Sequence, residues 1–127
     1  MRAMGYVGED LQERIEAAID RTIQMAMALP RNVAGQEIGR QIIRSAGSVG
    51  ANLEEARATL TRADYTHKVS LSLREARETL YWTRRIVSND LLAAKRLTPL
   101  QAEWDELVAI LTTTQKKLRR EVTKRAK

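Results

Sequence analysis

The sequence predicts an all-α fold, an antiparallel up-down-up-down four-helix bundle, on three observations. Apolar residues recur at alternating spacings of four and three in four separate stretches, which is the seam of a bundle helix. No stretch shows the period-two alternation of a half-buried strand. Proline and glycine punctuate the stretches, marking the short connections that join antiparallel neighbours. A length of 127 residues suits one domain, residues 1–127, around one core.

The first helix is expected over about 8–29. Leu11, Ile15, Ala18, Thr22, Met25 and Leu29 form its seam, and Pro30, Asn32 and Gly35 end it. The second, about 36–60, carries Ile38, Ile42, Ala46, Val49, Leu53, Ala56 and Leu60. Gly39, Gly47 and Gly50 lie inside it, each costing about 1 kcal/mol against alanine. With Ser45, Ala46, Ser48 and Ala51 they predict close approach of a neighbouring backbone, by analogy with small-residue helix contacts. A phosphate-cradling loop fits less well, because the spacing is not GxGxxG and no strand precedes it.

Thr61 followed by Asp64 reads as a variant capping box that opens a third helix over about 62–89 after a very short turn. Its seam is Tyr65, Val69, Ser72, Ala76, Leu80, Thr83 and Val87, widened by Leu73, Trp82 and Ile86. A connection of roughly eight residues, with Leu91 and Leu92 to cover the bundle end, leads to the fourth helix, about 99–120. Thr98 as N-cap, Pro99 at the first position and Gln101 three residues after the cap are its start signal. Leu100, Trp104, Leu107, Leu111, Thr114 and Leu118 form its seam.

Composition removes several function classes. The absence of cysteine excludes a disulfide scaffold, thiolate catalysis and cysteine-built zinc sites, and a single histidine, His67, excludes a multi-histidine metal site within one chain. Five aromatics and no Phe leave little for a base-stacking RNA platform. No apolar run approaches the roughly 20 residues of a membrane span, and residues 1–10 lack a signal-peptide core. A soluble, cytoplasmic protein without a membrane partner is expected. Glu55, Glu75, Glu78 and Asp64 are the only carboxylates that suggest a cluster. A di-metal bundle needs Glu-x-x-His on facing helices, which is missing, and Arg74 and Arg77 stand beside Glu75 and Glu78, so a salt-bridged helix surface is expected. Ser45 and Ser48 have no base in their motif. No catalytic residue, metal or cofactor is assigned.

The net charge of +6 is carried by the C-terminus. Residues 116–127 hold Lys116, Lys117, Arg119, Arg120, Lys124, Arg125 and Lys127 against Glu121, leaving 15 of the 22 basic and 15 of the 16 acidic residues to the rest. Such a basic tail can neutralise phosphates and release counterions. The plainer reading is a solvated, frayed terminus whose cations suit the C-terminal end of a helix dipole.

Two stretches carry a family signature. Residues 41–55 read Gln-Ile-Ile-Arg-Ser-Ala-Gly-Ser-Val-Gly-Ala-Asn-Leu-Glu-Glu, and residues 67–82 read His-Lys-Val-Ser-Leu-Ser-Leu-Arg-Glu-Ala-Arg-Glu-Thr-Leu-Tyr-Trp. From about Leu29 to Leu118 the chain resembles the four-helix-bundle proteins encoded in intervening sequences of bacterial 23S ribosomal RNA genes. It is similar in the same way to the accessory variability protein of diversity-generating retroelements. The family's Gln-x-x-Arg, Ser and Asn-x-x-Glu fall on Gln41, Arg44, Ser48, Asn52 and Glu55. Its later run falls on Arg74, Glu75, Ala76, Glu78, Thr79, Tyr81 and Trp82. The chain departs at Glu54 and Ala56, where many relatives carry a small residue and Gly. The resemblance implies a non-enzymatic homo-oligomer, a five-fold ring of bundles. For the retroelement member it also implies binding to nucleic acid and to a reverse transcriptase.

A hairpin centred near residue 62 pairs positions that sum to about 124. Asn52 is then expected to face Ser72, Glu55 to lie near Lys68 and Arg44 to reach Glu78, fixing helix register or joining subunits together with Glu75. Tyr81 and Trp82 are about 100° apart on the helix and cannot share a narrow seam, which marks Trp82 or its neighbour for a subunit contact. Two functions remain open. One is a basic oligomer binding RNA or DNA through Lys116, Lys117, Arg119, Arg120, Lys124 and Arg125, with Arg84 and Arg85 in support. The other is a structural adaptor that binds another protein, its tail only solubilising it.

Overall fold

The computed structural model describes residues 6–126; residues 1–5 of the expected domain and Lys127 of the tail lie outside the described residues. The fold is all-α: α1 (Glu9–Ala26), α2 (Val33–Ala56), α3 (Arg62–Ser88) and α4 (Ala94–Ala126), with no strand among the described residues. None of these helices is long and apolar enough to cross a membrane.

Local chemistry explains most boundaries. Glu9 and Asp10 place negative charge at the positive end of α1. α2 starts at Val33, ahead of the expected 36, because the Asn32 side-chain oxygen accepts from the Gly35 N–H at 2.8 Å and caps the helix. It ends at Ala56, not 60. The Ala58 and Thr59 N–H groups turn back to the Glu55 and Ala56 carbonyls, and Leu60, expected in the seam, is 97% exposed. The Thr61 hydroxyl accepts from the Asp64 N–H at 3.1 Å at the head of α3. α3 closes with Asp90 in the left-handed region at φ 54°; Leu91 N–H returns to Ile86 O and Asp90 N–H to Val87 O. That is the paired 6→1 and 5→2 closure of a Schellman motif, with Asp where Gly is usual.

The start of α4 overturns an expectation. The helix begins at Ala94, so Thr98 is not its N-cap: the Thr98 hydroxyl donates to Ala94 O at 2.8 Å, and Pro99 lies inside the helix. Leu97 is the reason. It is fully buried and extends the seam of Leu100, Trp104, Leu107 and Leu111 by one more step of three. Burying a leucine side chain is worth about 1.5–3 kcal/mol, comparable with the roughly 3 kcal/mol that proline costs in a helix interior. Here the carbonyl deprived of a donor is that of Lys95, an exposed residue in the first turn, where water can take the donor's place.

One contiguous cluster of buried residues from all four helices forms the core. α2 packs most extensively on α3, and α3 on α4, while α1 lies on α2 and touches α4 lightly. Along α3 and α4 the contacts run in opposite order, Arg62 with Glu121, Ser70 with Gln115 and Arg84 with Asp105. The α2–α3 seam is sealed by small hydroxyls: Thr79 donates to Ser45 Oγ and Ser72 to Val49 O, both at 2.9 Å. Gly39, Gly47 and Gly50 of α2 do not receive a backbone as expected. A Cβ at Gly50 would meet the Ile19 Cδ1 at 2.8 Å, one at Gly39 the Leu29 Cδ1 at 3.6 Å, and one at Gly47 open space. Side chains of α1 and of the turn after it, not a main chain, approach Gly50 and Gly39.

Candidate nucleic-acid interface

The basic stretch is the last three turns of a packed helix rather than a frayed tail. Leu118 is fully buried within it, and Glu121 reaches Arg62 on α3 at 2.6 Å. Arg62 is held in place, its side chain only 9% exposed and its guanidinium 5.0 Å from the Tyr6 ring centre. Glu121 is the only acid in the stretch, and Arg62 takes it. Lys116, Lys117, Arg119, Arg120, Lys124 and Arg125 are left without an ion pair within 4.0 Å among the described residues. All six are exposed except Lys117, which is half-buried. Lys116, Arg120 and Lys124 follow one another at four-residue steps and so form one stripe, with Arg119 turned toward α3.

Arg84 and Arg85 are not brought to this stripe. Arg84 sits 4.0 Å from Asp105, and eleven residues of α4, about 16 Å, separate that aspartate from Lys116. Arg85 lies over the Tyr81 ring at 5.2 Å, with its Nε buried and without a partner among the described residues.

The signature residues gather on the α2–α3 seam. Arg44 bridges Glu75 at 3.2 Å and also binds Glu78, while Lys68 binds Glu55 at 2.6 Å. The Trp82 indole N–H donates to Glu78 at 3.0 Å. Partial burial works to raise the Glu78 pKa, but the hydrogen bonds from Trp82 and Arg44 outweigh it and hold the carboxyl below its ordinary 4.5; Glu78 in turn raises Arg44. Asn52, expected to face Ser72, makes no hydrogen bond with it. Its amide donates to Ser48 O on its own helix at 2.8 Å, while the Ser72 hydroxyl donates to the Val49 carbonyl. Arg74 and Arg77, which stand beside Glu75 and Glu78 in the sequence, make no ion pair within 4.0 Å; Arg44 from the neighbouring helix bridges both carboxylates, and the Arg74 charge acts on Glu78 through space. Tyr81 meets Trp82 edge-on at 5.0 Å and is 48% exposed. No group of three or more His, Asp or Glu that could hold a metal occurs among the described residues.

The family model of the 23S rRNA-intervening sequence protein matches residues 4–113. The chain belongs to that family. Among solved structures it is similar to a protein of unknown function from the S23 ribosomal protein family of Bacteroides thetaiotaomicron VPI-5482. The two are 26% identical with a TM-score of 0.74, over 84% of this chain and 98% of that one. No curated protein matches. The match to the 23S rRNA-intervening sequence proteins starts well before Leu29 and stops before Leu118, the limits of the resemblance read from the motifs. It takes in both motifs, whose residues Arg44, Glu75 and Glu78 meet in space, and it ends before Lys116. The basic turns from Lys116 onward lie beyond the matched residues.

Proposed function

We propose that this member of the 23S rRNA-intervening sequence family is a non-enzymatic homo-oligomeric accessory protein or scaffold that holds nucleic acid by its phosphates. The observation that carries the reading is the set of cations at the end of α4, left unpaired because Arg62 takes Glu121. Exposed cations without carboxylate partners release counterions when they meet a polyanion, and this supplies affinity without sequence readout. The opposed contact order of α3 and α4 supports an up-down-up-down bundle. On the resemblance to the accessory variability protein, the reading extends to a ring of five chains and to a reverse transcriptase as partner. Five copies of the +6 chain gather about 30 positive charges, and linked weak contacts then gain through effective concentration.

The test is RNA and DNA binding by fluorescence anisotropy across a salt series, with native mass recorded for every form. Stopping the chain after Gln115 is a poor comparison, since it removes the buried Leu118 and the Arg62–Glu121 pair. The triple variant Lys116→Gln/Arg120→Gln/Lys124→Gln keeps both. It is expected to flatten the slope of log affinity against log salt by about 2–3, at about 0.7–0.9 per lost phosphate contact. If the unmodified chain binds neither polymer at low salt, the nucleic-acid reading fails. The adaptor reading then stands, with the half-exposed Tyr81 beside Trp82 as the surface to probe.

A further inference from the structure

A second cationic feature starts on α3, within the family-matched residues. His67, Ser70, Arg74 and Arg77 follow at steps of three, four and three, and so form one stripe along α3. The contacts between α3 and α4 lay Gln115 and Arg119 beside that stripe, and these six, with Leu71 and Leu73 at the base, line a groove of about 340 Å³. Three of the lining residues are exposed arginines, Arg74, Arg77 and Arg119. None of the three makes an ion pair within 4.0 Å among the described residues: Arg44 bridges Glu75 and Glu78, Arg62 takes Glu121 and Asp105 faces Arg84, although the Arg74 charge also acts on Glu78. Ser70 accepts from the Gln115 amide at 3.0 Å, and its own O–H has no acceptor among the described residues. The groove therefore presents hydrogen-bond donors and positive charge, and its Arg119 wall joins it to the Lys116–Arg120–Lys124 stripe.

We propose that this groove seats the sugar-phosphate backbone of a nucleic-acid strand, with Arg74, Arg77 and Arg119 on neighbouring phosphates and Ser70 donating to a phosphate oxygen. The proposal rests on the nucleic-acid reading above and gives it a defined site. Guanidinium forks match phosphate oxygens bidentately. A line of cations running from α3 onto α4 suits a ligand whose charge repeats regularly along its length. No Trp, Tyr or Phe lines the groove, and His67 is its one aromatic ring, so the contacts are mainly to phosphate and RNA and DNA are read alike through their shared phosphodiester.

The experiment compares the full chain with Arg74→Gln/Arg77→Gln, with Arg74→Lys/Arg77→Lys, and with Lys95→Gln/Arg96→Gln. The last removes the same charge at the start of α4. Short mixed-sequence single strands of RNA and of DNA serve as probes between about 50 and 200 mM salt, and circular dichroism checks that each variant is folded. The groove variant is expected to lose about tenfold in affinity for both strands and to flatten the salt slope by about 1.4, two contacts at about 0.7 each. The lysine variant should keep the slope, and the α4-start variant both slope and affinity. Equal losses in the groove and α4-start variants would reduce the effect to net charge and overturn the proposal, as would displacement of RNA by poly-glutamate at equal charge concentration. If binding stays intact in the groove variant but weakens in Lys116→Gln/Arg120→Gln/Lys124→Gln, the groove alone is wrong. A full chain that binds neither strand overturns the groove and the nucleic-acid reading together.

Discussion

Trp104 illustrates what a single side chain demands of its surroundings. The indole has no exposed surface, so its N–H must find an acceptor inside the protein, and the Thr22 hydroxyl on α1 supplies one at 2.8 Å. Thr22 passes its own proton to Ala18 O at 2.7 Å, which leaves its oxygen lone pairs for the tryptophan. Both residues sit on the seams that the sequence predicts, but nothing in their spacing links them across 82 positions. Thr22→Val keeps shape and removes the acceptor. It is expected to cost about 1–3 kcal/mol in urea unfolding, the penalty of a buried donor left unsatisfied. Thr22→Ser should recover most of the loss, and a cost below about 0.5 kcal/mol would show that water reaches the indole.

At the scale of the element, α2 shows how one residue type serves opposite ends. Gly35 is required by contact: a Cβ there would lie 2.0 Å from the Pro30 carbonyl oxygen, which belongs to backbone and cannot swing away. Gly47 meets nothing within 4 Å in the chain. Gly35→Ala is expected to lose about 1–3 kcal/mol through overpacking. Gly47→Ala should gain about 0.5–1 kcal/mol, the ordinary helix preference of alanine over glycine. Thermal melts of the two variants should move in opposite directions; a loss at Gly47 instead would show this face of α2 covered by a second chain. α4 carries the complementary lesson. The local signal at Thr98-Pro99 was strong, yet burial of Leu97 moved the helix start back to Ala94, because a cap worth about 1 kcal/mol yields to a buried leucine.

Across the whole molecule, paired carboxylates set the acid limit. Arg14 holds Glu103 at 2.8 Å and Glu106 at 2.7 Å, tying α1 to α4, and Arg44 ties α2 to α3. The hydrogen bond from Arg14 lowers Glu103 below its ordinary 4.5, against the opposing effect of burial, and Glu78 is lowered as well. A carboxyl depressed in the folded state stabilises above its unfolded pKa, and that contribution is lost as pH falls through the folded value. Stability should therefore be level near neutrality and decline below about pH 4.5. Arg14→Gln is expected to lower stability at pH 7 by no more than about 1 kcal/mol, since Arg14 is partly exposed. Its curve should converge with that of the unmodified chain in acid; a gap that persists at pH 2–3 would assign the loss to packing of the arginine stem instead.

What the sequence determined by itself was whatever local spacing encodes. The four- and three-residue steps give four helices and their buried faces, Thr61 with Asp64 gives the head of α3, and the segregation of charge to residues 116–127 is visible without any fold. The α2–α3 pairs were also within reach. The turn between those helices is so short that it fixes their register, and Arg44–Glu78 and Glu55–Lys68 follow from counting outward from it. The lateral register of α3 and α4 was not readable, because it is set by how Leu97, Trp104 and Leu118 bury against the other helices and not by the connection between them. That register alone places Glu121 on Arg62 and Arg119 beside Arg74 and Arg77. A charge is unpaired only with respect to everything around it, so which cations remain available to a ligand was decided by the tertiary structure.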